Sequence, residues 1–225
     1  MGTYRQAQKV QASADQAKAL LQAKDYKGLA ADLPDLAEQA RELDAQTSAV
    51  PWTVLTWIPR VGSSAVAVRT VASATAEMAT AAEPVATMGV RLLNDGVKRA
   101  DGSVDVDMLK AAGPSLTALS QAVDRSFDRV AAIDTATLVD ELKGPVTTLR
   151  EALASASPVA NDVASIAQHL PGLAGADGPR TWAVLMQNNA ELRGTGGIVG
   201  AYAIVGADDG RVTLKEAQAR KDGLT

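Results

Sequence analysis

The stretch LKGPVTTLREALASASPVANDVASIAQHL, residues 142–170, decides the fold class. Its apolar residues recur at steps of three and four, which places them on one stripe of a helix. The stripe consists of Leu142, Val146, Leu149, Leu153, Ala156, Ala160, Val163 and Leu170. Such a helix is stable in water when the stripe packs against neighbours, so the stretch predicts one long member of a helical bundle.

Three further stretches show the same spacing, and residues 4–23 form a weaker, more polar one. The three run from Leu29 to Val50, from Val68 to Leu92 and from Leu109 to Ile133. Each buried Leu or Val contributes about 1.5–3 kcal/mol, and the many Ala positions allow close helix axes. The pattern predicts an antiparallel bundle of four to five long helices.

Caps and prolines divide these helices. Asp25 is predicted to cap the second helix, and Asp107 the helix that follows the turn-rich residues 94–103. Pro84, Pro145 and Pro158 fall inside stripes, so partly kinked or segmented helices are expected. The carboxylates near residues 94–107 do not have the spacing of a calcium-binding loop, which favours turn chemistry over a metal site.

The pattern changes after residue 172. Thr181–Met186 and Ile198–Val205 are short apolar runs typical of buried strands. Ala207–Gly210 is a hairpin signal, and Arg211–Leu214 is the predicted returning strand. The fold class is therefore mainly α, a bundle followed by a short antiparallel β segment, α+β overall.

Three parts of the chain follow from this change of pattern. The predicted parts are a helical bundle over residues 1–172, a connector over 173–179 and a β-hairpin segment over 180–225 that begins an incomplete second domain. A sheet this small buries little surface by itself, so it is expected to pack on the bundle or to belong to a longer parent chain.

Composition excludes several function classes. The 22 Lys and Arg against 26 Asp and Glu, a net charge of −4, create no basic field for nucleic acid. Without cysteine there is no disulfide, thiol nucleophile or cysteine-based zinc site. His169, the only histidine, stands at a predicted helix end, where a cation offsets the helix dipole. We therefore predict no catalytic residues, no metal site and no cofactor, and the chain shows no membrane-spanning run or export signal.

One polar, glycine-rich stretch between the first two strands is the candidate ligand site. The candidate residues are Asn188, Asn189, Glu191, Arg193, Thr195, Gly196 and Gly197. Glycine backbones expose N–H groups, while Arg and Asn side chains donate hydrogen bonds, which suits an anionic ligand. The alternative is a connection satisfied internally, with Glu191 paired to Arg193.

A second candidate is the apolar knot around Trp52 and Trp57, between Pro51 and Pro59. It is interpreted as a plug at one end of the bundle. The alternative is an exposed patch that meets lipid headgroups or a partner protein.

The β-segment residues also resemble a known family. The run Asp177–Trp182 followed by Asn188–Gly197 is similar to the opening of domain of unknown function 4012, found in actinobacterial envelope proteins. Residues 51–62 and 67–71 resemble the helical stem that precedes that domain. Members carry a transmembrane helix before the stem and a long further stretch after the glycine motif, so the resemblance implies a trimmed portion of a longer protein.

The resemblance implies an extracytoplasmic, membrane-anchored parent whose bundle is a membrane-proximal stalk. The family carries no established activity. The leading hypothesis is a non-enzymatic cell-envelope module, soluble as this fragment, whose β domain binds a cell-wall or glycopolymer ligand or an envelope protein. The alternatives are part of an enzyme acting on phosphorylated envelope polymers, in which Arg193 stabilises phosphate charge, and a helical sensor resembling chemoreceptor domains.

Overall fold

The computed structural model describes residues 2–48, 62–188 and 198–219. The helices in these ranges are α1 (Gly2–Gln22), α2 (Tyr26–Ser48), α3 (Gly62–Asp95), α4 (Val106–Ala131) and α5 (Asp140–Leu173). The strands are β1 (Arg180–Asn188), β2 (Ile198–Asp208) and β3 (Arg211–Ala219). The predicted class, mainly α with a short antiparallel β segment, is confirmed.

The chain divides into two compact units. The first contains Met1–Gly96 and Ala112–Ser165, and the second contains Val97–Ala111 and Ile166–Thr225. The sequence-based division with a connector at residues 173–179 stays a prediction.

In the first unit, α2 and α3 pack through alanines. Ala37 and Ala40 of α2 are fully buried in one cluster with Ala72, Ala76 and Ala79 of α3. Small side chains let helix backbones approach closely, and Leu33, Leu36 and Leu43 of α2 are buried in the same cluster. These alanines therefore allow α2 and α3 to pack closely.

The other side of α3 faces a second core of the same unit. Ala67 and Ala74 of α3 cluster there with the larger side chains of α4 and α5. The buried members from those helices are Val123, Val130, Val146 and Leu153. Helix α3 is thus shared by both cores of the unit.

One predicted cap is confirmed and one is wrong. The Gly28 N–H donates to Asp25 Oδ1 at 2.9 Å, as expected for the start of α2. At α4 the cap is Asp105, whose Oδ1 accepts from the Met108 N–H at 3.1 Å. Asp107 lies one residue inside the helix, and its carboxylate instead pairs with Arg99.

The internal prolines do not segment the helices. Helix α3 is continuous over 34 residues with Pro84 inside it. Helix α5 is also continuous over 34 residues and includes Pro145 and Pro158. Each proline removes one backbone hydrogen bond, yet helical structure continues on both sides of it.

The three strands form one antiparallel sheet in the order β1-β2-β3. The prediction of buried strands is wrong for β1, whereas residues 200–205 of β2 are half-buried. The side chains of Val184, Leu185 and Met186 in β1 are 47%, 58% and 51% exposed, and Leu214 in β3 is 67% exposed. Strand pairing satisfies the backbone, but no second layer of described residues covers these side chains.

Candidate functional site

The predicted ligand loop begins and ends at paired strand residues. Asn188, the last residue of β1, lies directly opposite Ile198, the first residue of β2. The other candidates, Asn189, Glu191, Arg193, Thr195, Gly196 and Gly197, lie outside the described residues, as do Trp52 and Trp57. The structure thus places the two ends of the loop at one end of the sheet.

The opposite end of the sheet is a two-residue hairpin turn. Asp209 and Gly210 both have positive φ, 42° and 79°, between strand residues Asp208 and Arg211. Positive φ at both central residues is the type I′ geometry, which matches the twist of the flanking strands. The Asp-Gly hairpin signal in the sequence is therefore confirmed.

Backbone hydrogen bonds hold this turn within the second unit. The Gly210 N–H donates to the Ala174 carbonyl at 2.9 Å, and the Gly210 carbonyl accepts from the Val104 N–H at 2.9 Å. The Asp209 N–H donates to the Gly175 carbonyl at 3.2 Å. The turn is thus bonded both to the loop before α4 and to the segment after α5.

Charged side chains reinforce the same contact. Arg99 bonds to the Asp209 carboxylate at 3.0 Å and to the Asp107 carboxylate at 3.2 Å, and Asp105 lies 3.7 Å away. Nearby, Lys110 pairs with Asp177 at 3.0 Å. Single exposed pairs contribute little, but a guanidinium shared by three carboxylates forms a network. We call this turn, with Arg99 and its carboxylates, the anchored end of the sheet.

Asp101 forms a second polar centre at the anchored end. Its Oδ1 accepts from the Ser103 hydroxyl at 2.6 Å and from the Ser103 N–H at 3.0 Å, while Arg211 bonds to Oδ2 at 2.5 Å. These bonds favour the charged form, so Ser103 first, and Arg211 to a smaller extent, lower the pKa of the Asp101 carboxyl.

This shift predicts a pH dependence. The pKa of Asp101 is lower in the folded state than in the unfolded state. The ionised carboxylate therefore contributes fully to folding stability above the ordinary carboxyl pKa of about 3.9. This stabilisation is lost as the pH falls through the pKa of the folded state. In a carboxyl NMR titration, Ser103→Ala is expected to move the Asp101 pKa back toward its ordinary value. Ser155→Ala, a serine on the exposed surface of α5, is the control. An Asp101 pKa unchanged by Ser103→Ala would contradict the assignment.

A group of polar side chains joins β2 and β3 nearer the predicted loop. The Tyr202 hydroxyl donates to Glu216 Oε1 at 2.6 Å and lies 2.9 Å from Gln218 Oε1. The hydrogen bond to the Glu216 carboxylate raises the pKa of Tyr202. This group was not predicted from the sequence, because its members become neighbours only through the register that pairs Tyr202 with Gln218.

The described residues define a mainly α protein with a small antiparallel sheet, which has one anchored end and one end at which Asn188 pairs with Ile198. Residues 177–225 match the model of a family described as "Protein of unknown function (DUF4012)". The match confirms, for this segment, the resemblance predicted from the sequence. No curated protein and no solved structure gave a significant match.

The described ranges also bear on membranes and metals. None of the helices there combines the length and hydrophobicity that a membrane span requires. The same ranges contain no group of three His, Asp or Glu side chains placed to hold one metal ion. The carboxylates near residues 101–107 act instead as caps and ion-pair partners.

Proposed function

We propose that this chain is a non-enzymatic module of the cell envelope, in which a helical bundle carries a small sheet that binds an anionic cell-wall or glycopolymer ligand through residues 188–197. The ligand contacts are the side chains of Asn188, Asn189, Glu191, Arg193 and Thr195 and the backbones of Gly196 and Gly197. The extracytoplasmic location, the actinobacterial source and a membrane-anchored parent belong to this proposal and rest on the family resemblance.

The asymmetry of the sheet is the observation that supports this proposal. Its Asp209–Gly210 end is held by backbone hydrogen bonds and by Arg99. At the other end, the Asn188–Ile198 pair brings both ends of the glycine-rich segment together. Binding residues commonly occupy a loop that a rigid scaffold positions, because the scaffold reduces the entropy lost on binding.

The chemistry of the loop decides the ligand class. Arg193 supplies a planar cation with several donors, and Asn189 supplies an amide. Glycine N–H groups add donors without side-chain bulk. Such donors recognise phosphate or carboxylate groups together with the hydroxyls of a sugar chain.

Binding to poly(glycerol phosphate) tests the proposal. Arg193→Ala is expected to weaken binding about tenfold, because it removes charge-assisted hydrogen bonds, and Asn189→Ala by a smaller factor. The measurement is biolayer interferometry with immobilised polymer, and neutral dextran serves as the comparison surface.

Arg91→Ala is the matched control, since it removes an arginine from the exposed surface of α3. Equal binding by Arg193→Ala, Asn189→Ala and the unmodified protein would remove the site assignment. Absence of binding to the phosphate polymer would remove the ligand class. Shortening of the polymer during incubation would instead favour the alternative, an enzyme acting on phosphorylated envelope polymers.

A further inference from the structure

A long groove lies within the first unit, outside the site described so far. Helix α3 forms its floor, with α2 along one side and α4 along the other. It consists of two hollows of about 540 and 430 Å³ that share Asp44 and Ser73 in their linings. From Val66 to Ala81 the groove follows α3 for about 22 Å, at 1.5 Å of rise per residue.

The floor and walls combine small apolar side chains with side chains that carry hydroxyl groups. The hydroxyl-bearing residues are Ser48, Thr70, Ser73 and Thr80, and several alanines lie beside them. The Thr80 hydroxyl already donates to the Ala76 carbonyl at 2.7 Å. A groove meant for an amphipathic helix would present large apolar side chains at helical spacing. Hydroxyls beside small residues suit a narrow ligand that itself has many hydroxyl groups.

Charge along the groove is positive, although the chain as a whole is acidic. The lining contains four arginines, Arg41, Arg69, Arg125 and Arg129, against two carboxylates. Glu77, one of the two, already bonds to Arg125 at 2.7 Å and to Arg129. No described residue forms an ion pair with Arg69, and the contact of Arg41 with Glu83 is 3.9 Å between half-exposed side chains.

We propose that this groove binds a linear, polyhydroxylated anion, an acidic oligosaccharide. Arg69 on the floor and Arg41 on the α2 wall bind its anionic groups, and the hydroxyls of Thr70 and Ser73 bind its sugar hydroxyls. The inference shares its ligand class with the proposed function but rests on separate residues. A chain with two such sites would hold one polymer at two points and gain avidity.

Asp44 makes the proposal testable in both directions. Its carboxylate lies in the lining of both hollows, and no described residue neutralises it by an ion pair. An anion in the groove is therefore attracted by Arg69 and repelled by Asp44. Removal of either charge must shift affinity, with opposite signs.

The experiment is isothermal titration of the whole chain with a short oligogalacturonate, with a neutral maltooligosaccharide as comparison. Arg69→Gln is expected to raise the Kd about tenfold. Asp44→Asn is expected to lower it about threefold, because it removes like-charge repulsion at the groove. Added salt should weaken the binding of the acidic oligosaccharide and leave that of the neutral one unchanged.

Two matched controls separate the groove from general charge effects. Arg91→Gln changes an exposed arginine of α3 outside the groove, and Asp35→Asn changes an exposed carboxylate of α2. Arg193→Ala in the same titration separates this site from the proposed loop. The inference is overturned if Arg69→Gln and Asp44→Asn shift affinity no more than their controls, or if the neutral ligand binds equally well. Thermal melting of each variant shows that the fold is retained.

Discussion

Replacement of Gly210 by alanine is expected to destabilise the second unit by about 2–4 kcal/mol. A Cβ at this position would lie 1.9 Å from the Val104 carbonyl oxygen, which is backbone and cannot rotate away. The φ of 79° adds about 1 kcal/mol of strain for any residue with a Cβ, and forced displacement of packed atoms costs about 1–3 kcal/mol more. Hydrogen exchange of the β2 and β3 amides measures the loss.

Gly102→Ala is the matched control for Gly210→Ala. Gly102 has almost the same φ, 83°, but a Cβ there meets no atom within 4 Å. It is expected to cost only the conformational strain, about 1 kcal/mol. Equal losses for the two variants would show that the approach of Gly210 to Val104 relaxes without cost.

Leu153→Ala is the second substitution with a large expected effect. It should lower the free energy of unfolding by about 2–5 kcal/mol. The Leu153 side chain is 4% exposed and belongs to the core formed with Val123, Val130 and Val146. Truncation leaves a cavity that the neighbouring helices α3 and α4 can fill only partly. Urea unfolding followed by far-UV circular dichroism gives the change.

Leu170→Ala provides the comparison on the same helix. Leu170 belongs to the same sequence stripe as Leu153, yet it is 39% exposed. Its truncation is expected to cost less than about 1 kcal/mol. Similar losses at the two positions would mean that Leu170 is covered in solution by something other than the described residues.

These two leucines illustrate the limit of periodicity. The stripe from Leu142 to Leu170 correctly predicted a long helix, because a spacing of three and four residues is a property of the helix itself. It could not predict where along the helix burial ends, because burial depends on which neighbours are present. The same limit applies to the first β strand. The composition of Thr181–Met186 predicted a strand correctly, but it could not show that no described residues cover its side chains.

One candidate site could be predicted from the sequence, and the others could be found only in the fold. Residue types alone singled out the 188–197 loop, because glycines, amides and an arginine stand together in the sequence. The Arg99 network was not predicted, since its carboxylates lie between residue 105 and residue 209. The groove arginines come from three helices, so no local pattern connects Arg41 with Arg129.

The two aspartates before and within α4 show how a local choice is settled by distant contacts. The sequence predicted Asp107 as the cap of α4. In the fold Asp105 caps the helix, while Asp107 bonds to Arg99, which also bonds to Asp209 of the hairpin turn. Asp105 is left to cap the helix, and its Oδ1 accepts from the N–H groups of Asp107 and Met108 in the first turn.

By itself, the sequence determined the helices, the Asp-Gly hairpin, the order of the elements and the resemblance of residues 177–225 to a family. These depend on backbone preferences and on periodicities that act over a few residues. The tertiary structure alone decided which stripe positions are buried, which aspartate caps α4 and which arginines share a groove. Those outcomes depend on contacts between residues far apart in the chain, where many pairings are compatible with one local pattern and packing selects among them.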